Sequence, residues 1–142
     1  MALTAFSIGR DTQLVVMGPG GRVDISHVTS FESRQLTSPI RISRLDGTQL
    51  GAELPKGWEG SFEVERGTSA LEDFISSLEQ GFYSGGGTQP STMYQYITET
   101  DSSVSTYQFD GVVFKLVNAG AWKGDSSVKQ KLEFYATRKR RI

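Results

Sequence analysis

The chain has 142 residues, a formal net charge of −1 and no cysteine. This length predicts a single domain, and the composition excludes thiolate metal sites and the strongly basic field that nucleic-acid-binding proteins use. No run approaches the roughly 20 apolar residues of a membrane span, and the N-terminal residues lack the basic segment of a signal peptide, so we expect a soluble protein without a membrane anchor.

The first predicted elements are strands, because apolar and polar residues alternate along the chain. The run over residues 12–17 ends at the turn signal GPGG. In the longer alternating run that follows, Val23, Ile25 and Phe31 share one face with His27. Since His27 is the only histidine of the chain and lies on an apolar face, we expect it to be a packed, hydrogen-bonded structural residue.

The dipeptide Asp46-Gly47 predicts a β-hairpin, because Asp-Gly between two strand-like runs favours a tight turn. The arms of this hairpin are polar and contain glycine, so they have little core to bury. We therefore expect a hairpin over about residues 41–57 that projects from the body of the domain.

The segment after the hairpin has the clearest alternation in the sequence. Trp58, Phe62 and Val64 fall on one face, with Gly60 between them. The opposite face carries an acidic row of Glu59, Glu63 and Glu65. This pattern predicts a strand with one buried and one exposed face.

At Gly67 the period changes from that of a strand to that of a helix. Ser69 followed by Glu72 forms a capping-box pattern, and Gly81 is expected to end the helix. The apolar stripe consists of Leu71, Phe74, Ile75 and Leu78. A helix over about residues 69–81 is too short to be stable alone, so its stripe is expected to dock on a sheet.

Three further strands are predicted after a glycine-rich loop. They cover residues 91–99, 104–119 and 126–139, and the second is expected to be bent or bulged at Gly111. The predicted fold class is therefore mainly β, of the α+β type. It is an antiparallel β-sandwich or open barrel of about seven strands with one flanking α-helix.

No catalytic or cofactor-binding motif stands out, so we predict no enzyme activity, no metal and no cofactor. Glycoside hydrolysis needs two carboxylates flanking a cleft, whereas an acidic row on one strand face is more typical of a solvated or ion-paired surface. Tyr94 and Tyr96 share a strand face with Thr92 and Thr98. Such a face is typical of a sugar-binding platform, but equally of ordinary packing within a sheet.

The charges are unevenly distributed along the chain. Residues 67–114 contain six acidic and no basic side chains, whereas residues 115–142 contain eight basic and two acidic ones. One interpretation is that the acidic middle and the basic end meet on neighbouring copies. The other is that both are simply solvated.

The order of these elements resembles that of bacteriophage tail-tube proteins, including the inner-tube proteins of contractile tails and related secretion-system tubes. The resemblance is carried by the hairpin and strand SRLDGTQLGAELPKGWEGSFEVER, the helix TSALEDFISSLEQG and the strands that end in KLEFYATRKRRI. It covers roughly residues 12 to 138, and it is one of order and pattern rather than of a short motif.

The resemblance implies that residues 1–142 form a single tail-tube-like domain with a structural function. Subunits of this family form hexameric rings whose strands join into one inner β-barrel, and the rings stack into a tube for genome ejection. The helix would then cover the outward side of a sheet whose other face lines the channel. Implied partners are further copies of the chain and the sheath, baseplate and tail-terminator proteins, with DNA only as transiting cargo. The implied location is the virion tail, assembled in the host cytoplasm.

The resemblance also implies roles for particular residues. The acidic row is expected to line the lumen, where it would repel DNA phosphates, or else to pair across strands with Lys129, Lys131 or Arg41. A register slip of one residue would invert this assignment. The expected contacts between rings are made by Arg44, Leu45, Asp46, Gly47, Thr48, Gln49, Leu50 and Glu53; the alternative is a mobile loop.

The basic tail over residues 138–142 is expected to contact an acidic patch on the next ring or the sheath, or else to be disordered in the isolated protein. Its charged residues are Arg138, Lys139, Arg140 and Arg141. The alternative to the tube function is a monomeric β-sandwich binding module, either a carbohydrate-binding or a baseplate-type domain, with the Tyr94 and Tyr96 face as its ligand surface.

Overall fold

The computed structural model describes residues 5–23, 25 and 27–142. Within them it shows antiparallel strands and one α-helix, which confirms the predicted fold class. The strands are β1 (Thr12–Gly18), β2 (Gly21–Val23), β3 (Val28–Ser43), β4 (Gln49–Glu65), β5 (Ser91–Thr98), β6 (Val104–Asn118), β7 (Lys129–Ala136) and β8 (Arg138–Arg141), and the helix is α1 (Ala70–Gly81). Short turns of 3₁₀ and π type, Gly9–Asp11 and Phe82–Gly86, precede β1 and follow α1.

The strands form two sheets that share β6. Sheet 1 has the order β2-β1-β5-β6-β8, and sheet 2 has the order β6-β7-β4-β3. The first half of β6 pairs with β5 and β8, and its second half pairs with β7. The architecture is therefore a sandwich in which one strand belongs to both layers.

Strand β6 changes sheet at Gly111, where φ is +58°. A Cβ at this position would lie 2.6 Å from Oγ1 of Thr137, the residue between β7 and β8. The Thr137 amide donates to the Asp110 carbonyl oxygen at 2.9 Å. The bend expected at the glycine is confirmed, and β6 and the β7–β8 segment turn together at one corner, which we call the Gly111 corner.

The core lies between the two sheets and under α1. Phe31 stacks on Phe134 with ring centroids 5.8 Å apart, and Phe109 meets both rings edge-on. Such aromatic contacts add to the stabilisation that burial provides. The buried apolar residues are Val16, Val23, Phe62, Val64, Leu71, Phe74, Met93, Phe109, Val112, Leu132, Phe134 and Ala136.

Helix α1 packs through the residues of its apolar stripe. Leu71 and Phe74 are buried, and Ile75 and Leu78 are half-buried against the same core. The Phe74 ring contacts Phe114 of β6 at 5.5 Å, edge to face. Phe114 in turn contacts Phe62 of β4, so the helix lies on the core side of sheet 2.

Helix α1 ends at Gly81 as predicted, but its start differs from the prediction. Ser69 precedes α1, but its hydroxyl bonds the Asp73 carboxylate and makes no cap to a backbone N–H. Glu72 bonds the Arg66 guanidinium, so the predicted capping box is wrong. The chain also continues beyond Gly81 into a π turn, which ends where Gly85 and Gly87 adopt positive φ.

The alternating run after the first turn is not one strand. β2 ends at Val23 and β3 begins at Val28; residues 24 and 26 lie outside the described residues. A bulge between Val28 and Ser30 lets Val28 and Phe31 both pack against the core although they are three residues apart. His27 is exposed with φ at +61°, so the prediction of a packed histidine is wrong.

Candidate assembly surfaces

The distal half of the β3–β4 hairpin, residues 37–56, projects from the sandwich, and we call it the arm. Its turn is closed by a hydrogen bond from the Arg44 amide to the Thr48 carbonyl at 2.8 Å, with φ of Gly47 at +88°. The Thr48 amide donates to the Asp46 carboxylate at 2.9 Å, which holds the pKa of Asp46 below its usual value. All residues predicted to contact another ring lie in this arm, and every residue from 39 to 56 is exposed.

One face of the arm is apolar. In the strand register Ile40 lies opposite Ala52, Ile42 opposite Leu50, and Ser38 opposite Leu54. Directly opposed residues share a face, so these aliphatic side chains form one surface. Their exposed fractions are 41% for Ile40, 52% for Ile42, 40% for Leu50 and 43% for Leu54, and Leu45 at the turn is fully exposed. The expectation of a polar arm is therefore wrong on this face.

The other face of the arm is polar and internally bonded. The Arg41 guanidinium pairs with Glu53 at 2.6 Å, and the Thr37 hydroxyl donates to the same carboxylate at 2.9 Å. These hydrogen bonds hold the pKa of Glu53 below its usual value, and the bond from Arg41 has the larger effect. Because Arg41 forms its ion pair with Glu53, it is not the cross-strand partner of the acidic row, so that alternative is wrong for Arg41.

The arm is fixed to the body at Gly57. This glycine has φ at +112°, and a Cβ would lie 2.5 Å from the hydroxyl oxygen of Tyr135 on β7. That hydroxyl donates to the carbonyl oxygen of Lys56 at 2.6 Å. A register shift in β3–β4 between Leu36 and Thr37 falls at the same level. The base of the arm is thus held by a side chain of a neighbouring strand.

The acidic row lies on the face of sheet 2 that points away from the core and from α1. Glu63 is opposite Lys131, Glu65 is opposite Lys129, and Glu59 forms an ion pair with Arg34. The same face also carries Glu32, Ser61, Glu133 and Lys115. We call it the mixed-charge face, because basic residues from β3, β6 and β7 are interspersed among the carboxylates.

The basic tail is an ordered strand. Lys139 Nζ lies 4.9 Å from the Trp58 ring centroid and 4.7 Å from that of Tyr107, and burial lowers the pKa of this lysine. Arg140 pairs with Asp110 at 2.6 Å, and Arg141 donates to Ser105 at 3.2 Å. The alternative of a disordered tail is wrong. Part of the charge complementarity between the acidic middle and the basic end is satisfied within the chain.

Sheet 2 ends in two unpaired edges. Among the described strands, β3 pairs only with β4, and residues 113–118 of β6 pair only with β7. Neighbouring strands of the sheet are antiparallel, so the two edges run in opposite directions. Free edges are templates for further strand pairing, and natural proteins normally cover or close them.

Two features bear on small-ligand binding. Tyr94 and Tyr96 stack on sheet 1 with ring centroids 6.3 Å apart. A cleft of about 550 Å³ opens between β1 and β3, where the two sheets separate; Phe31 and Gln95 line it, but the two tyrosines do not. The described residues contain no cluster of three acidic, histidine or cysteine side chains placed to hold a metal.

No helix within the described residues is both long and apolar enough to cross a membrane.

Comparison with known proteins gives a likeness in structure but not in sequence. No family model and no curated protein matches the chain. A chain from the extended sheath–tube complex of the extracellular contractile injection system PVC has a TM-score of 0.62 at 12% identity, covering 92% of this chain and 88% of that chain. A chain from the PVC sheath/tube terminator in the extended state has a TM-score of 0.63 at 11% identity, covering 92% and 93%. A chain from the tube-terminating cap of the anti-feeding prophage has 0.63 at 9% identity, covering 100% and 94%. The chain thus shares the fold of chains found in contractile injection systems.

Proposed function

We propose that this chain is a structural subunit of a contractile-tail-type particle and assembles as hexameric rings that stack into a tube. The fold shared with chains from contractile injection systems supports the structural role. The observation that carries the assembly is the pair of unpaired, oppositely directed edges of sheet 2. No catalytic step or cofactor enters the proposal.

Ring formation follows from the direction of the strands in sheet 2. The sheet has four strands of alternating direction, so placing the β3 edge of one copy beside the β6 edge of the next continues the antiparallel pattern. The contact joins two different edges, and such head-to-tail contacts close into a ring when the rotation between copies permits it. Closure then removes both free edges. The number of six copies is taken from the resemblance to tail-tube proteins.

In this ring the mixed-charge face lines the lumen, because α1 occupies the other side of sheet 2. The carboxylates of the acidic row repel DNA phosphates, while Lys129 and Lys131 limit the net charge. Transiting DNA would then meet a surface that neither binds it strongly nor excludes it. Arg138 and Arg141, which remain exposed on β8, are available to sheath, baseplate or terminator proteins.

The arm makes the contacts between rings. It contains all eight residues predicted for this role, and its apolar face has no covering element among the described residues. Stacking buries this face, so the axial contact has a hydrophobic driving force. The particle is a virion tail or a related injection device, assembled where the chain is made.

The substitution Val117→Pro tests the ring. Val117 lies in the β6 bulge without a register partner on β7, so a proline there removes no paired residue of the sheet while disrupting the free edge. We expect wild-type rings in negative-stain images and by native mass spectrometry, and a folded monomer for the variant. Ser127→Pro, in the loop that follows β6, is the matched control and should keep the ring. A wild-type chain that is monomeric at all concentrations, or a variant that forms rings normally, would contradict the proposal.

The stacked pair Tyr94 and Tyr96 favours the alternative of a monomeric carbohydrate-binding or baseplate-type module. A glycan array distinguishes the two functions. A monomer whose glycan binding is lost in the double variant Tyr94→Ala, Tyr96→Ala would establish the binding module instead.

A further inference from the structure

We infer that the apolar face of the arm docks on the opposite end of sheet 2 in the next copy, with Trp122 as its anchor. The inference rests on the proposed stacking of rings and adds the surface that receives the arm. The receiving surface is the loop between β6 and β7, residues 119–128, and we call it the Trp122 platform.

The arm tip and the Trp122 platform lie at opposite ends of the same sheet. The turn at residues 44–48 joins β3 to β4 at one end, whereas the register pairs Glu65 with Lys129 and Asn118 with Lys131 at the other. β3 spans 16 residues, which at about 3.3 Å each is roughly 50 Å. Surfaces at the two ends of one subunit meet only between different copies, and such a contact repeats without limit along an axis.

Trp122 has the properties of an interface anchor. Its side chain is 69% exposed, and the guanidinium of Arg66 lies 5.2 Å from the ring centroid. Arg66 is itself bonded to Glu72, which raises the pKa of the arginine and lowers that of the carboxyl. Tryptophan and arginine are enriched among residues that dominate binding energy. The indole ring of Trp122 is therefore in contact with the Arg66 guanidinium and still largely exposed to a partner.

The platform is held in place before any partner arrives. The side chain of Gln130 is buried, and its amide donates both to the Ala119 carbonyl at 3.1 Å and to Glu72 at 3.0 Å. The Gly120 amide donates to the Asn118 side chain at 2.8 Å. These bonds connect the start of the loop to β7 and to the helix that also anchors Arg66. A preorganised surface loses less conformational entropy on binding.

The arm supplies the complementary surface. Four aliphatic side chains on one face and Leu45 at the tip are exposed, and a two-stranded ribbon alone is only marginally stable in water. Phe82 and Tyr83 form another exposed aromatic pair, but they contact each other and belong to the π turn that follows α1, not to a loop that joins two strands of sheet 2. A ring presents several arms at once, so a weak single contact is sufficient for stacking.

Cross-linking tests this contact cleanly because the chain has no cysteine. We would prepare Leu45→Cys with Lys123→Cys, both at exposed positions, and treat the assembled protein with a short bismaleimide. The expected product is a ladder that extends beyond the size of one ring. The control pair Leu45→Cys with Ser84→Cys, whose second thiol is exposed near Phe82 and Tyr83, should give no such ladder. A ladder that ends at the ring size, or equal ladders from both pairs, overturns the inference.

Trp122→Ala gives the second readout, and because the residue is exposed the variant is expected to fold. We expect rings that no longer stack, with mean tube length at fixed concentration reduced at least about tenfold, because the anchor is lost from every arm contact of the ring. Tyr83→Ala is the matched control and should leave tube length unchanged. If the wild-type chain forms tubes and Trp122→Ala forms tubes of the same length, the platform is overturned but the proposed tube function is not. A wild-type chain that forms no ring overturns the proposed function itself.

Discussion

At the scale of single residues, close backbone contacts decide which positions tolerate a side chain. Gly60 lies between Phe62 and Trp58 in the strongest strand pattern, yet its role is steric rather than conformational. A Cβ there would collide with the Glu32 carbonyl oxygen and lie 2.9 Å from the Phe134 ring. Strand β3 can approach β4 this closely only because residue 60 has no side chain.

We therefore expect Gly60→Ala to destabilise the fold by about 1–3 kcal/mol, the usual cost of overpacking a filled site. Urea denaturation followed by circular dichroism measures the change in the free energy of unfolding. Gly20→Ala is the control, because a Cβ at Gly20 has no atom within 4 Å among the described residues. Equal stability of both variants would show that β3 moves aside at no cost.

At the scale of elements, periodicity predicted what depends on one element alone. The helical stripe and the alternation of residues 58–65 follow from the repeat of apolar residues, and both faces lie as those repeats indicate. The capping box was wrong because Glu72 is taken by Arg66 and by Gln130, which is 58 residues away. No local pattern contains such a partner.

The arm shows how a local turn signal can give the wrong register. A two-residue turn at Asp46-Gly47 would place Ile42 opposite Gly51, whereas the observed turn has three residues, 45–47, and places Ile42 opposite Leu50. The apolar face of the arm therefore depends on the actual turn length, which the polar composition of the hairpin does not indicate. Strand β8 was also missed as a separate element, since four consecutive basic residues indicate a solvated tail and not a strand bonded to β6.

The attachment of the arm gives a prediction at this scale. Tyr135→Phe removes the hydrogen bond to the Lys56 carbonyl and keeps the ring, so we expect faster amide exchange in residues 49–56 and little change in the core. The loss of overall stability should be about 0.5–1.5 kcal/mol. Hydrogen–deuterium exchange with mass spectrometry measures the exchange rates in the arm and in the core. Tyr83→Phe, on the exposed π turn, is the control. Unchanged exchange in the arm would mean that the Tyr135 hydroxyl does not fix its base.

At the scale of the whole molecule, the balance of charges matters more than any single carboxylate. The sequence names Lys129 and Lys131 as possible cross-strand partners of the acidic row, and the pairing of β4 with β7 places them opposite Glu65 and Glu63. Which of the alternatives applies is decided by this pairing of residues 58–65 with residues 129–136, and not by the pattern of either strand alone. Composition and order therefore predicted the fold class, whereas the character of its surfaces depends on strand pairing between distant segments.

This balance predicts how assembled tubes respond to a change in charge. The double variant Glu59→Gln, Glu63→Gln leaves Arg34, Lys129 and Lys131 on the mixed-charge face, so a lumen lined by it would become basic. We expect tubes of this variant to retain short duplex DNA in a filter-binding assay, with retention that falls as salt rises.

Wild-type tubes, and tubes carrying the control pair Glu79→Gln with Glu99→Gln, should retain little DNA. Equal retention by the control pair would show that only net charge matters and that the mixed-charge face is not the lumen.

The Gly111 corner also determines how the sandwich can deform. Because β6 and the β7–β8 segment both pass from one layer to the other at that corner, the layers cannot slide past each other along that side. On the opposite side, between β1 and β3, the described strands do not connect the layers, and the cleft opens there. We therefore expect the subunit to deform most easily by opening about the Gly111 corner. A tube joined through the β3 edge would suppress this opening in every copy, so the tube would bend mainly at the joints between subunits.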